Sequence, residues 1–285
     1  MNRRLLVFGT LFIIFVLYLP NTALAGTTLT IFVGAASKPA TEEAIKLFEK
    51  ETGVEVNVSF GGSGFVLSQM ILARKGDIYF PGSSDYMEKA KTEGYVYPNT
   101  EKVIVHLVSA INVQKGNPKN IRTLKDLTKP GIKVAIANPQ GVCVGAYAVE
   151  IIENNFSTAE KEKFLCNLIN YTGSCAKTAS AISLKTVDAV IGWRVFKYWD
   201  PNRIETIPLQ PSEINRIGYI PIAISTFTKQ PKLAQEFIDF MLSDKVKIIF
   251  SKYNYFMTSE EAAAWIGEKK PIGGVYKVPI RWLSK

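Results

Sequence analysis

Residues 58–67 read Val-Ser-Phe-Gly-Gly-Ser-Gly-Phe-Val-Leu. A strand-like run ends at Phe60, three glycines surround Ser63, and an apolar-periodic segment follows. This is the pattern of a strand, a tight turn and a helix start. Glycine lets backbone approach a neighbour closely, and a helix start leaves N–H groups without partners. The same order occurs upstream. Residues 28–33 form a β-branched apolar run, and Gly34-Ala35-Ala36-Ser37 is a small-residue turn. Residues 39–51 then place Ala40, Ala44, Ile45, Leu47 and Phe48 at helical spacing, and Thr52-Gly53 stops them. Downstream, a helix over about 65–74 and a short strand over 77–80 complete a β-α-β-α-β rhythm. Such a rhythm predicts a parallel sheet with crossover helices.

Further along, residues 103–113 read as one long apolar strand. Strands over 132–137 and 187–193 enclose helices over about 145–154, 158–168 and 178–185, which makes a second β-α-β unit. Residues 217–224 are another long apolar run, followed by helices over 231–242 and 244–252 and a basic, irregular tail from Pro271. Two α/β units joined by two long strands predict two lobes with a cleft between them. Residues 26–107 and 220–285 then form lobe 1, and residues 108–219 form lobe 2. The hinges fall near 106–110 and 219–223.

A hydrophobic content of 47% over 285 residues excludes disorder. The formal charge is +9, but the basic residues are scattered, so no nucleic-acid partner is expected. A solvated basic surface and an anionic partner both remain open. Asn2-Arg3-Arg4, an apolar run over 5–19 and Ala23-Leu24-Ala25 read as a secretory signal peptide over residues 1–25. The run is short for a retained anchor and lacks a basic stop-transfer flank. Without Arg3 and Arg4 the charge falls to +7. With no cysteine near Ala25 for lipid attachment, a free periplasmic or extracytoplasmic monomer is expected. The three cysteines lack zinc-site spacing, and His106 is the one histidine. No directly bound metal and no cofactor are therefore expected.

The chemistry gathers at helix starts. Ser37 precedes the helix opened by Pro39, and Ser63 precedes the helix near Phe65. Val144-Gly145 and Gly173-Ser174-Cys175-Ala176 open two more. Helix N-termini bind anions through free N–H groups and a partial positive charge. Ligands of open α/β sheets sit at the carboxyl ends of strands, where these turns lie. The competing reading is simple N-capping, worth roughly 1 kcal/mol per serine. The turn at Ser63 is neither a P-loop nor a nucleophile elbow.

These turns carry a resemblance to the periplasmic molybdate-binding proteins of ABC importers. The matching segments are Ala35-Ala36-Ser37, Phe60-Gly61-Gly62-Ser63, Gly76-Asp77-Ile78-Tyr79-Phe80 and Ser83-Ser84-Asp85-Tyr86. The similarity continues through Ala137-Asn138-Pro139, Gly145-Ala146-Tyr147-Ala148 and Asp188-Ala189-Val190-Ile191. It implies an α/β periplasmic-binding-protein fold, type II-like, whose two parallel or mixed sheets are joined by two crossing strands. It implies a receptor that closes on molybdate or tungstate and delivers it to ABC permease subunits. Family serines fall on Ser37 and Ser63, and family amide donors fall near Val144 and Cys175. The family tyrosine falls on Trp193, whose indole can only donate. Arg194 follows and offers a charged fork. Gly192 and Val142 stand where one branch carries carboxylates, so the ligand would be held by hydrogen bonds and not by metal ligation. Sulfate or phosphate is the alternative cargo, and Trp193 and Arg194 favour it. A secreted hydrolase using Ser63 would need a base. A disulfide joining Cys143 or Cys166 to Cys175 would brace lobe 2.

Overall fold

The computed structural model describes residues 28–283. The segment read as a signal peptide lies outside that range. In chain order the strands are β1 (Thr28–Gly34), β2 (Glu55–Gly61), β3 (Ile78–Phe80), β4 (Lys102–Leu107), β5 (Ser109–Gln114), β6 (Val134–Ala137), β7 (Leu168–Thr172), β8 (Ala189–Trp193), β9 (Ile204–Ile207) and β10 (Gly218–Ile224). Among the described residues they form two five-stranded sheets, ordered β2-β1-β3-β10-β4 and β7-β6-β8-β5-β9. Both sheets follow one plan. Three parallel strands, β2-β1-β3 or β7-β6-β8, are followed by one strand that runs the other way, β10 or β5, and by an edge strand, β4 or β9, antiparallel to it. The fold is thus α/β with two mixed sheets. The strand centres are buried on both faces, which is why their sequences read as apolar runs.

The helices are α1 (Lys38–Thr52), α2 (Ser63–Ala73), α3 (Ser84–Thr92), α4 (Cys143–Asn155), α5 (Thr158–Asn167), α6 (Cys175–Ser183), α7 (Phe196–Trp199), α8 (Pro231–Met241), α9 (Asp244–Lys252) and α10 (Ser259–Ile266). Helices α4 and α6 begin earlier than the sequence reading placed them, so Cys143 and Cys175 are their first residues.

The apolar run over 103–113 is two strands. β4 belongs to the first sheet and β5 to the second, and the chain changes sheets at Val108, itself buried. The second crossing precedes β10, between Ile207 and Gly218. The stretch expected to hinge, 219–223, is instead paired with β4 and β3. Pro221 is tolerated there because the pairing slips at Ile220/Pro221. A third passage follows α9. Val246, Ile249 and Phe250 of α9 pack with the first sheet, whereas Ala262, Ile266 and Trp282 join Phe164 and Ile217 over the second. The tail from α10 onward therefore packs on lobe 2, where the sequence reading gave it to lobe 1, because its apolar residues cover that sheet's outer face.

One hydrophobic cluster runs across both lobes, taking in Ala36, Ile78 and Phe80 together with Val142, Cys143, Cys175 and Trp193. The lobes are closed on each other.

Candidate functional site

The carboxyl ends of the six parallel strands meet where the lobes touch. β1 runs into the turn Ala35–Ser37 and α1, β2 into Ser63 and α2, and β3 into Ser83 and α3. From lobe 2, β6 leads to Cys143 and α4, β7 to Ser174 and α6, and β8 ends on Trp193. Neither Ser37 nor Ser63 is spent on capping. Ser37 makes no cap bond, and Ser63 is the first helical residue, behind Gly62. Ser174, by contrast, does cap α6, accepting from the Lys177 N–H at 3.1 Å. Ser37 Oγ bonds Thr41 Oγ1 at 2.8 Å, and both groups are buried. Ser63 Oγ accepts from Gly82 N at 2.9 Å, which leaves its own proton free to donate. A Cβ on Gly34 would stand 2.6 Å from Ser63 Oγ and 2.3 Å from Gly82 N, so the first turn requires glycine for that approach.

The residue at the centre is Cys143, which the sequence reading did not place in the site. Its sulfur is fully buried and meets side chains of Cys175, Ser63 and Ser83. Ser63 and Ser83 come from lobe 1, Cys143 and Cys175 from lobe 2. Burial raises the Cys143 thiol, but the bonds from Cys175, Ser63 and Ser83 outweigh it and hold the thiol below its usual value. Burial and the neighbouring Cys143 push the Cys175 thiol well up. The Val144 N–H, a predicted donor, points at the Cys175 sulfur, and the Trp193 indole N–H faces the same atom. Trp193 Nε1 reaches no hydrogen-bond geometry and is unpartnered, although the ring is wholly buried. All three cysteines carry free thiols, Cys166 at the surface and the other two inside. Neither disulfide is formed.

Arg194 is turned away. Nη1 donates to Asn254 Oδ1 at 2.7 Å, Nη2 donates to Asn254 O, and the guanidinium stacks 4.1 Å from the Phe256 ring. Its backbone follows directly on β8, and its N–H donates to Val108 O at 2.9 Å. The charged group near the site is Arg216 instead. It donates to Glu150 Oε2 on α4 at 2.7 Å and to Asp85 Oδ1 on α3 at 3.1 Å. Its guanidinium lies 3.8 Å from the Tyr147 ring, which stands edge-on to Trp193 at 4.8 Å. Half-buried carboxylates of both lobes are thus joined through one buried cation. Burial raises Glu150, with Arg216 opposing. The sequence carries no local signal for this bridge, since the partners lie 66 and 131 residues from Arg216.

Two further contacts join the lobes at the opening turn. Gly64 N donates to Gly141 O at 2.9 Å, and Tyr86 Oη donates to Gln140 O at 2.8 Å. At the cleft mouth a cavity of about 320 Å³ lies between Lys38 and Pro39 of lobe 1 and Ala176, Trp199 and Arg203 of lobe 2. His106 lies on β4, at the opposite sheet edge from β2, the strand that delivers Ser63. Among the described residues no three His, Cys, Asp or Glu side chains cluster as metal ligands, and no helix is long and apolar enough to cross a membrane.

Comparison with known proteins bears on this arrangement. A family model described as bacterial extracellular solute-binding protein matches residues 29–256. A Haemophilus influenzae chain described as a binding protein is 27% identical over 219 residues, 75% of this chain and 85% of its own. The molybdate-binding protein ModA of Mycobacterium tuberculosis is 26% identical over 133 residues, 45% of this chain and 51% of its own. Among solved structures, the sulfate-binding protein SubI of Mycobacterium tuberculosis superposes with a TM-score of 0.72 at 17% identity. That match covers 90% of this chain and 96% of SubI.

Proposed function

The chain belongs to the bacterial extracellular solute-binding protein family, and we propose that it captures a small tetrahedral oxyanion, molybdate or tungstate, between its lobes. It then hands the anion to the permease subunits of an ABC importer. The observation that carries the reading is the convergence of strand ends and helix N-termini from both lobes on one buried point. Free N–H groups and hydroxyls aimed at a single centre replace the water shell of an anion without a formal countercharge. Ser37, Ser63, the amides at Val144 and Cys175, and the Trp193 indole are the donors. Of these, the Val144 and Trp193 N–H groups now face the Cys175 sulfur, and the Ser63 hydroxyl meets Cys143. Of the two residues that favoured sulfate or phosphate, Trp193 and Arg194, the second has its guanidinium committed to Asn254. The named relatives leave both cargoes in view, one called molybdate-binding and one sulfate-binding.

Hinge closure is the mechanism this reading implies. An anion touched by both lobes stabilises the closed state by its differential affinity for the two states. Lys38 and Arg203 at the mouth add attraction for an approaching dianion.

Isothermal titration with molybdate, tungstate, sulfate and phosphate tests the reading. Molybdate and tungstate should bind more tightly than the other two. Replacing Ser37 or Ser63 by alanine should weaken them roughly 10- to 100-fold, the worth of a hydrogen bond to a charged group. Absence of heat with all four anions, or equal affinity in both variants, would remove the oxyanion reading.

A further inference from the structure

We infer that Cys143 and Cys175 form a dithiol site for a trivalent, thiophilic oxyacid of the arsenite type. The inference rests on the reading of the cleft as an oxyacid receptor and names a different cargo class for the same cradle. Its first support is the sulfur pair itself. The two side chains open two different helices of one lobe and meet at the point the surrounding donors address. Because both belong to lobe 2, they stay together when the lobes part, and the pair is preorganised to receive a ligand. The second support is independent. Trp193 Nε1 is wholly buried, unpartnered and directed at the Cys175 sulfur.

A three-coordinate pyramidal centre fits these parts. Arsenous acid gives up two hydroxyls to two thiols: two As–S bonds form, two As–O bonds break, and each thiol proton leaves with a hydroxyl as water. The arsenic stays trivalent and no oxidant or reductant enters. The remaining As–OH oxygen accepts from the Trp193 N–H, and Ser63, reaching in from lobe 1, closes over it. The ligand is uncharged, in keeping with guanidiniums that are already committed, Arg194 to Asn254 and Arg216 to Glu150 and Asp85. Molybdate, already bonded to four oxygens, would be held by hydrogen bonds alone.

The test uses the full chain, reduced with a phosphine and desalted, then titrated with sodium arsenite. One arsenic per chain should remain after gel filtration, and alkylation followed by mass spectrometry should find Cys143 and Cys175 protected and Cys166 open. Cys166→Ser should bind as the wild type does. Cys143→Ser and Cys175→Ser should each bind about 100-fold or more weakly, because the second sulfur otherwise attaches within the molecule. Circular dichroism reports whether those variants fold, and the protection pattern in the wild-type chain decides the matter if they do not. The site is refuted if the reduced wild type retains no arsenic, if Cys166 is the protected thiol, or if folded Cys143→Ser binds undiminished. Molybdate calorimetry on the same preparation keeps the two readings apart: molybdate binding without arsenite binding sinks the dithiol site alone.

Discussion

At the scale of single residues, two serines that look alike in sequence do different work. Ser63 Oγ satisfies the buried Gly82 N–H, and its carbonyl accepts from Tyr79 Oη at 2.9 Å. Ser37 Oγ bonds only Thr41, one helical turn on. Removing the Ser63 hydroxyl strands a buried donor, which costs about 1–3 kcal/mol. Removing the Ser37 hydroxyl costs less, since Thr41 can turn its proton to a carbonyl of its own helix. Ser63→Ala should therefore lower the melting temperature of the ligand-free protein by about 2–4 °C for each kcal/mol lost. Ser37→Ala should barely move it. A scanning-calorimetry comparison in which Ser37→Ala melts lower than Ser63→Ala would contradict this account. Both hydroxyls were legible as strand-end groups because small residues crowd those turns. Cys143 and Arg216 were not, since nothing local marks a sulfur or a cation whose partners come from remote turns.

At the scale of elements, the legible parts were those whose cues sit within a few residues. Thr52-Gly53 ends α1 because Gly53 takes the left-handed conformation, φ 73°, that suits a C-cap. The start of α5 carries a capping box, Ser157 with Glu160. β7 and β9 escaped notice because they are the two edges of the second sheet, and partly exposed edges lose clean alternation. α3 was hidden by its charge, and the break at Val108 by its burial, since a crossing inside the core needs no polar punctuation. The opening turn shows how a local cue serves a global contact. Gly62 has an ordinary backbone, φ −65° and ψ 141°, so alanine there adds no backbone strain, and within lobe 1 its Cβ would press on the Phe65 ring, at 2.9 Å. Its Cβ, however, would stand 2.7 Å from the Gly141 carbonyl of lobe 2. Gly62→Ala should hold the lobes apart while leaving each intact. Small-angle scattering should then give a larger radius of gyration that ligand no longer reduces to the wild-type value. A variant as compact as the wild type, with unchanged anion affinity, would show that the close approach is not needed.

At the scale of the whole molecule, closure is governed by three passages of the chain between lobes and by a tail that touches both. Ser84 Oγ on α3 donates to Gly274 O at 3.2 Å, and the Tyr276 N–H donates to Asp85 Oδ1 at 3.3 Å. The same tail ends on lobe 2, where Trp282 Nε1 and Arg281 Nε donate to Glu153 Oε1 on α4 at 2.6 and 3.0 Å. Lys161 Nζ meets Glu153 Oε2 at 3.0 Å. Partial burial pushes the Glu153 carboxyl up, but bonds from Arg281, Trp282 and Lys161 outweigh it and hold it at about 2, against 4.5 ordinarily. A carboxyl lowered on folding stabilises the native state fully above its unfolded value and loses that contribution as pH falls through the folded one. The tail anchor should therefore hold from neutral pH down to about 4.5 and loosen progressively toward about 2. Glu153→Gln removes the charge at every pH and should reproduce the loosened state at pH 7. Hydrogen exchange read by mass spectrometry should show the peptide containing Trp282 exchanging faster in the variant, with the strands of the first sheet unaffected. If the variant's tail exchanges at the wild-type rate, the carboxylate does not anchor it. The strap would then rest on its apolar contacts, chiefly Trp282 against Phe164, whose ring centroids are 6.3 Å apart.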